Sequence, residues 1–266
     1  MKNYKLTIQY DGTRYKGWQR LGNTDMTIQA RIENVLSKMT GEEIEVIGSG
    51  RTDMGVHALG QVANFKTRSL MTVEKIMDYV YRYLPEDIVV TGIEEVDERF
   101  HARYSAVSKK YIYRIWNCKH HDPFLRKYTE HIPENLNMEA MRKAASYLIG
   151  EHDFSGFKSS RSKKKSNVRT LYSVDINKSE CLIEMAFHGN GFLHNMVRII
   201  TGTLLEVGLG RMKPEYAKEI LEKKTEPWPA PQLHRRDCIC WKLIINGAIK
   251  GTVACCKETV PFVMVF

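Results

Sequence analysis

Apolar and polar positions along the chain change period in a regular way. Leu6, Ile8 and Tyr10 alternate with polar neighbours and predict a first strand, closed by the turn signal Asp11-Gly12. Thr27 has the chemistry of a helix N-cap, and Ile28, Ile32, Val35, Leu36 and Met39 follow at helical spacing until Gly41. Ile44-Glu45-Val46-Ile47 alternates again and predicts a strand. Val73 to Leu84 returns to helical spacing and stops at Pro85, ahead of the strand-like Ile88-Val89-Val90. Strand, helix, strand, helix, strand is the order of an α+β sheet with its helices on one face.

The second half repeats that order. Tyr111 to Trp116 predicts a strand, Met138, Met141, Ala145 and Leu148 mark one face of a helix, and Cys181 to Phe187 predicts another strand. A helix from Phe192 to Val207 then carries Met196, Ile199, Ile200, Thr203 and Leu204 on its inner side. The chain therefore divides near residue 105 into an N-terminal half, 1–105, and a C-terminal half, 106–266. Identity between the halves is too low to name a repeat. A cleft between them is the natural place for a ligand.

Charge narrows the partner. Lys and Arg number 40 against 31 Asp and Glu, a formal net charge of +9, which favours a polyanion, nucleic acid before an anionic membrane surface. No apolar run approaches the roughly 20 residues that span a bilayer. The N-terminus alternates instead of forming the apolar stretch of a signal peptide, so a cytoplasmic location is expected. Cys118 and Cys181 lie in strand-like runs and read as reduced core thiols. Cys238, Cys240, Cys255 and Cys256 lack the paired C-x-x-C spacing of a zinc site. His120-His121 and His152-Asp153 have no metal-binding context either, and no metal is expected.

Candidate chemistry concentrates in Gly48-Ser49-Gly50-Arg51-Thr52-Asp53-Met54-Gly55-Val56-His57-Ala58. Asp53 stands where a strand runs out into a glycine-rich loop, two residues from Arg51. A carboxylate beside a guanidinium stays ionised and can serve as nucleophile or base. A turn whose Asp bonds its own backbone is the competing reading. A dinucleotide fingerprint is excluded, because Asp53 occupies the place of the third glycine. The loop Asp11 to Arg20 interleaves Tyr15 and Trp18 with Arg14, Lys16 and Arg20. It reads as a stacking and phosphate platform for unpaired RNA, or as a surface loop packed by its own rings. Phe100-His101-Ala102-Arg103-Tyr104 is a weaker version. Residues 158–169, with Lys158, Arg161, Lys163, Lys164, Lys165 and Arg169, are nearly free of apolar side chains and read as a solvated loop or, favoured here because the whole chain is basic, a phosphate-gripping flap. Gly189 to Arg198 opens a helix with two glycines, which suits an anion, and Arg198 lies near that helix's apolar stripe.

Taken together these segments resemble the family of tRNA pseudouridine synthase A, the TruA family, over roughly residues 3 to 231. The resemblance is carried by Tyr10-Asp11-Gly12 through Gly17-Trp18-Gln19, Thr27-Ile28-Gln29, and Gly50-Arg51-Thr52-Asp53 with Gly55-Val56-His57-Ala58. It continues in Phe100-His101-Ala102-Arg103, Lys110-Tyr111-Ile112-Tyr113, His152-Asp153-Phe154, and Gly191-Phe192-Leu193 with Asn195-Met196-Val197-Arg198. It implies two ferredoxin-like or RRM-like halves with antiparallel sheets side by side and a central basic cleft. The implied activity is a cofactor-free isomerase acting on uridine in the tRNA anticodon stem-loop, at the positions numbered 38, 39 and 40, as a homodimer. By motif, Asp53 would be the catalytic carboxylate, attacking the ring or assisting glycosidic cleavage. Tyr111 would stack on the uracil, Arg198 would pair with Asp53, and Arg51 and His57 would complete the substrate site. A non-catalytic RNA binder or tRNA-folding chaperone is the alternative. The chain departs from the family's pattern at Tyr81-Arg82-Tyr83, which is bulkier. It departs again after Pro229-Ala230-Pro231, where Gln232 to Cys238 and a hydrophobic tail leave the last strand of the second half, and the cleft wall it lines, without support.

Overall fold

The computed structural model describes residues 1–159 and 166–223, and the backbone of 238–245. Strand β1 (Lys2–Tyr10), helix α1 (Ile28–Thr40), β2 (Val46–Gly48), β3 (His57–Thr67), α2 (Val73–Tyr83) and β4 (Ile88–Val96) build the first half. The predicted α1 boundaries hold because their caps do. The Thr27 hydroxyl accepts from Ala30 N at 3.3 Å, and Gly41 takes the left-handed conformation at φ 71° with its N–H on Ser37 O. The second half comprises β5 (Ala106–Trp116), the short β6 (Glu130–His131), α3 (Met138–Ser146), β7 (Gly150–Asp153), β8 (Val168–Ser179), β9 (Leu182–Gly189), α4 (Met196–Gly208), α5 (Tyr216–Lys223) and β10 (Cys238–Ile245).

All ten strands belong to one sheet, with the order β4-β1-β3-β10-β5-β9-β8-β7, β2 joining β3 and β6 joining β5. In the first half the order β4-β1-β3-β2 is that of a ferredoxin-like unit, and β10-β5-β9-β8 repeats it. The two antiparallel sheets expected side by side are thus joined edge to edge. β10 is the last strand that the resemblance left without support. It pairs antiparallel with β5 and meets β3 in parallel at Ile239↔His57 and Cys240↔Ala58. β2 holds the same edge of β3 further along, at Val46↔Phe65 to Gly48↔Ala63. The loop carrying Asp53 leaves the sheet where that edge passes from β2 to β10.

Two hydrophobic cores lie under this sheet. In one, Tyr4, Leu6 and Ile8 of β1 meet Ile28, Ile32 and Leu36 of α1 and Ile76 and Val80 of α2. In the other, Tyr113 and Ile115 of β5 and Ile183, Met185 and Phe187 of β9 meet Met141 of α3 and Ile200 and Leu204 of α4. The alternation predicted from sequence is this inward face. Val56, from the first half, packs into the second core, and Tyr111 touches both.

One expectation is corrected here. Cys118 and Cys181 are joined by a disulfide across a Cα–Cα distance of 5.3 Å, and do not stand as separate thiols. The register Trp116↔Leu182 carries the next residue of each strand toward its counterpart, with Asn117 N on Cys181 O at 2.6 Å.

Candidate active site

The Asp53 loop is tied down on both sides of Asp53, whose carbonyl accepts from Val56 N at 3.2 Å while its carboxylate stays partly open. Ser49 donates its hydroxyl to Val62 O at 2.7 Å, and the Gln61 amide donates to Gly50 O at 2.7 Å. Lys109 Nζ, from β5, donates to Ser49 O at 3.1 Å. Thr52 shares a buried hydrogen bond with Tyr10 Oη at 2.8 Å, and its carbonyl accepts from Trp18 N at 3.0 Å. Gly55 N donates to Tyr15 O at 3.3 Å. The loop 11–18 is therefore the mould in which the Asp53 loop is cast. Two glycines make that closeness possible. A Cβ on Gly12 would fall 2.0 Å from Val56 O, and Gly17, at φ 100°, would place one 2.7 Å from Thr52 O.

This arrangement overturns the stacking-platform reading of Trp18. Its indole is 2% exposed, 6.0 Å from the Tyr10 ring, and lies so close to Gly48 that a Cβ there would meet it at 2.5 Å. Tyr15 is buried too, and donates to Asp87 Oδ1 at 2.5 Å; burial and then that bond push its phenol pKa up. Large apolar rings are worth more under the loop than in water, and the self-packed alternative prevails. Arg14, Lys16 and Arg20 remain exposed. Arg14 Nη2 lies 2.6 Å from Asp87 Oδ2, and Arg20 Nη1 lies 3.3 Å from the buried Glu33.

His57 likewise belongs to the support. It is buried, its Nδ1 is 3.0 Å from Asp11 Oδ1 and 3.2 Å from Gly12 N, and its ring meets the Tyr128 ring edge-on at 5.0 Å. Tyr128 Oη donates to the other Asp11 oxygen at 3.0 Å. Burial alone would raise the Asp11 pKa. Hydrogen bonds from the Thr13 hydroxyl and N–H, the charge interaction with the His57 ring and a hydrogen bond from Tyr128 outweigh it and hold the carboxyl below its ordinary value.

Asp53 is different: 36% of its side chain is open. Among the described residues the His194 ring faces it, with Nε2 3.8 Å from Oδ1, an ion pair only when that ring is protonated. His194 lies between β9 and α4, two residues after Phe192, whose ring meets Tyr111 edge-on at 5.1 Å. Asp53 and Tyr111 thus touch the same three-residue stretch, Phe192 to His194. Arg198 lies in the first turn of α4, where it donates to Asn195 Oδ1 at 2.9 Å. His194 thus stands against Asp53, for which Arg198 was the expected partner, and Arg198 Nη1 bonds the side chain of Asn195, a residue in the left-handed conformation at φ 61°. Sequence reasoning missed His194. It stood within a segment already marked for anion binding, but nothing in spacing shows which side chain of that turn reaches Asp53.

The other candidates are dispersed. Arg51 and Arg103 are exposed. Lys158 Nζ donates to Asn167 Oδ1 at 3.1 Å and Arg169 Nη1 to Ser166 O at 3.2 Å. Burial lowers the Arg169 pKa. Arg161, Lys163, Lys164 and Lys165 lie outside the described residues, as do Cys255 and Cys256. Among the described residues no three His, Cys, Asp or Glu side chains are grouped to hold a metal ion, and no helix is long and apolar enough to cross a membrane.

The fold is thus an α+β sheet of two ferredoxin-like units, with the partly open Asp53 carboxylate on a braced loop where they join. The sequence profile of the tRNA pseudouridine synthase family matches residues 6–105 and 144–235. The chain is 54% identical over 224 residues to "tRNA pseudouridine synthase A 2" of Bacillus cereus (strain ZK / E33L), covering 84% of this chain and 91% of that one. It is 55% identical over 224 residues to "tRNA pseudouridine synthase A" of Bacillus sp. (strain KSM-64), covering 84% and 92%. It is 50% identical over 224 residues to the enzyme of that name from Thermoanaerobacter sp. (strain X514), covering 84% and 91%. A chain from the crystal structure of a Cbf5-Nop10-Gar1 complex superposes with a TM-score of 0.35 at 13% identity, over 76% of this chain and 45% of that one, too slight a likeness to carry an argument. The chain belongs to the tRNA pseudouridine synthase family.

Proposed function

We propose that this chain isomerises uridine to pseudouridine in the anticodon stem-loop of tRNA, at positions 38, 39 and 40, with Asp53 as the catalytic carboxylate and without a cofactor. Family membership supports the reaction. The observation that carries the residue assignment is the contrast within one loop: neighbours of Asp53 are bonded to the surrounding framework, while its own carboxylate stays partly open beside His194 and the Tyr111–Phe192 pair.

The reaction is balanced without an external reagent. The bond from C1′ to N1 breaks, the uracil turns, C5 bonds to C1′, and the proton lost from C5 is matched by one gained at N1. Asp53 either attacks the ring or assists cleavage of the glycosidic bond. Tyr111 stacks on the extruded uracil and takes part in removing the C5 proton. Arg198 helps to open the stack, Arg51 supports the Asp53 loop, and His57 acts through the same loop. Extruding a stem uridine costs a few kcal/mol. Cationic contacts from Arg14, Lys16, Arg20, Arg103, Lys158 and Arg169, and from Arg161, Lys163, Lys164 and Lys165 of the flap expected from sequence, offset that cost. The reading includes a division at residue 105, a homodimer and a cytoplasmic location.

The test is pseudouridine formation on an unmodified tRNA transcript by wild type and by Asp53→Asn. Wild type is expected to modify the three positions. The variant should fall by at least about a thousandfold, the scale of losing a group that acts in the transition state, with RNA affinity kept. Equal RNA binding with no modification by either protein would make this chain an RNA binder.

A further inference from the structure

The segment between β5 and β6 has no role in the chemistry above, yet it is built to present one side chain. Asp122 Oδ1 accepts from Phe124 N at 2.7 Å and Leu125 N at 2.9 Å, and Arg126 N donates to Asp122 O at 3.0 Å. Thr129 Oγ1 donates to Leu125 O at 3.0 Å, and Arg126 donates to Pro123 O. These bonds close a helical turn, and Phe124 projects from it with 83% of its surface in water. In the same segment Lys119, His120, His121, Arg126 and Lys127 are exposed. A large ring held out by an ordered turn among cations is costly in water and complementary to nucleic acid, which offers phosphates and stacked bases together.

The turn is coupled to the site. Tyr128, four residues on, bonds Asp11 and meets His57, and both brace the Asp53 loop through Gly12 and Val56. We infer that Phe124 is an aromatic wedge that enters the RNA stem beside the target uridine and fills the stack the uridine leaves, while the flanking cations hold the phosphates. Proteins that unstack a base step commonly insert an apolar side chain in this way. The inference rests on the proposed reaction for its purpose, and on this turn alone for its geometry.

Single-turnover rates of Phe124→Ala and Phe124→Trp on two stem-loop RNAs test it. In one RNA the target uridine is base-paired; in the other, a change of the opposite nucleotide leaves it unpaired. Phe124→Ala is expected to slow the paired substrate about tenfold or more and the unpaired one less than about twofold, with Phe124→Trp close to wild type on both. Equal slowing on both RNAs, or none on either, overturns the wedge. If wild type modifies neither RNA the reaction itself is lost, and the wedge is then read by 2-aminopurine placed beside the uridine. Fluorescence that rises on binding wild type but not Phe124→Ala upholds insertion, and equal signals from the two reject it.

Discussion

Two loops of this molecule, 11–20 and 118–129, carry the same kinds of residue and use them in opposite directions. Both mix aromatic rings with Arg and Lys. In the first, Tyr15 and Trp18 turn inward and the glycines let its backbone lie against Thr52 to Val56. In the second, the rings divide: Tyr128 faces Asp11 and His57, while Phe124 stands in water. Composition does not separate the two. What lies beneath does, because a ring with an apolar floor and a glycine to accept it is buried, and a ring at the tip of a turn has neither.

The largest expected consequence is in stability. Trp18→Ala should cost about 3–5 kcal/mol in denaturant unfolding, whereas Phe124→Ala should stay within about 0.5 kcal/mol. Comparable losses from the two would erase the distinction between the loops. Gly12→Ala drives a methyl into the Val56 carbonyl and should destabilise by about 1–3 kcal/mol. It should also lower the pseudouridylation rate more than RNA affinity, since the Asp53 loop is displaced; a rate unchanged in a folded variant would show that the close approach has no bearing on the acid. Tyr128→Phe removes one hydrogen bond to Asp11 and should cost about 1 kcal/mol, measurable as a shift of the urea midpoint at constant slope.

The smallest effect is in the acid limb. Asp11 is held below its ordinary value, so its stabilising contribution is complete above the unfolded carboxylate value of 3.8. It fades as pH falls through the lower folded value. Unfolding midpoints measured downward from pH 6 should therefore drop less steeply for Asp11→Asn than for wild type. Parallel curves would show that the His57–Asp11–Tyr128 cluster is not sensed by proton binding.

Much of the architecture was legible because its signals are local. Thr27 and Gly41 ended α1 where they should, and the end expected for α2 at Leu84, ahead of Pro85, lies one residue past the observed end at Tyr83. Strand β3 was not legible, since it is buried on nearly every residue and shows no alternation. β8 escaped for a different reason. Its register shifts between Leu171 and Ser173, so its inward residues Leu171, Val174 and Ile176 break the period of two. Helix α4 starts at Met196, later than the expected Phe192, because Phe192 to Asn195 are drawn out toward Tyr111, Asp53 and Arg198.

The same division runs through the site. Asp53, Tyr111 and Arg198 were singled out from sequence, and membership of the pseudouridine synthase family followed from motifs in their order along the chain. Sequence by itself determined the residue types, the limits of α1 and α2 and the family, because each depends on neighbours a few positions away or on the succession of motifs. Only the tertiary structure decided that Trp18 is floor rather than platform, that His194 rather than Arg198 meets Asp53, that β10 joins the two halves, and that Phe124 stands free. Those outcomes depend on which surfaces the folded sheet brings together, and a contact between residues more than a hundred positions apart leaves no periodic trace in either segment.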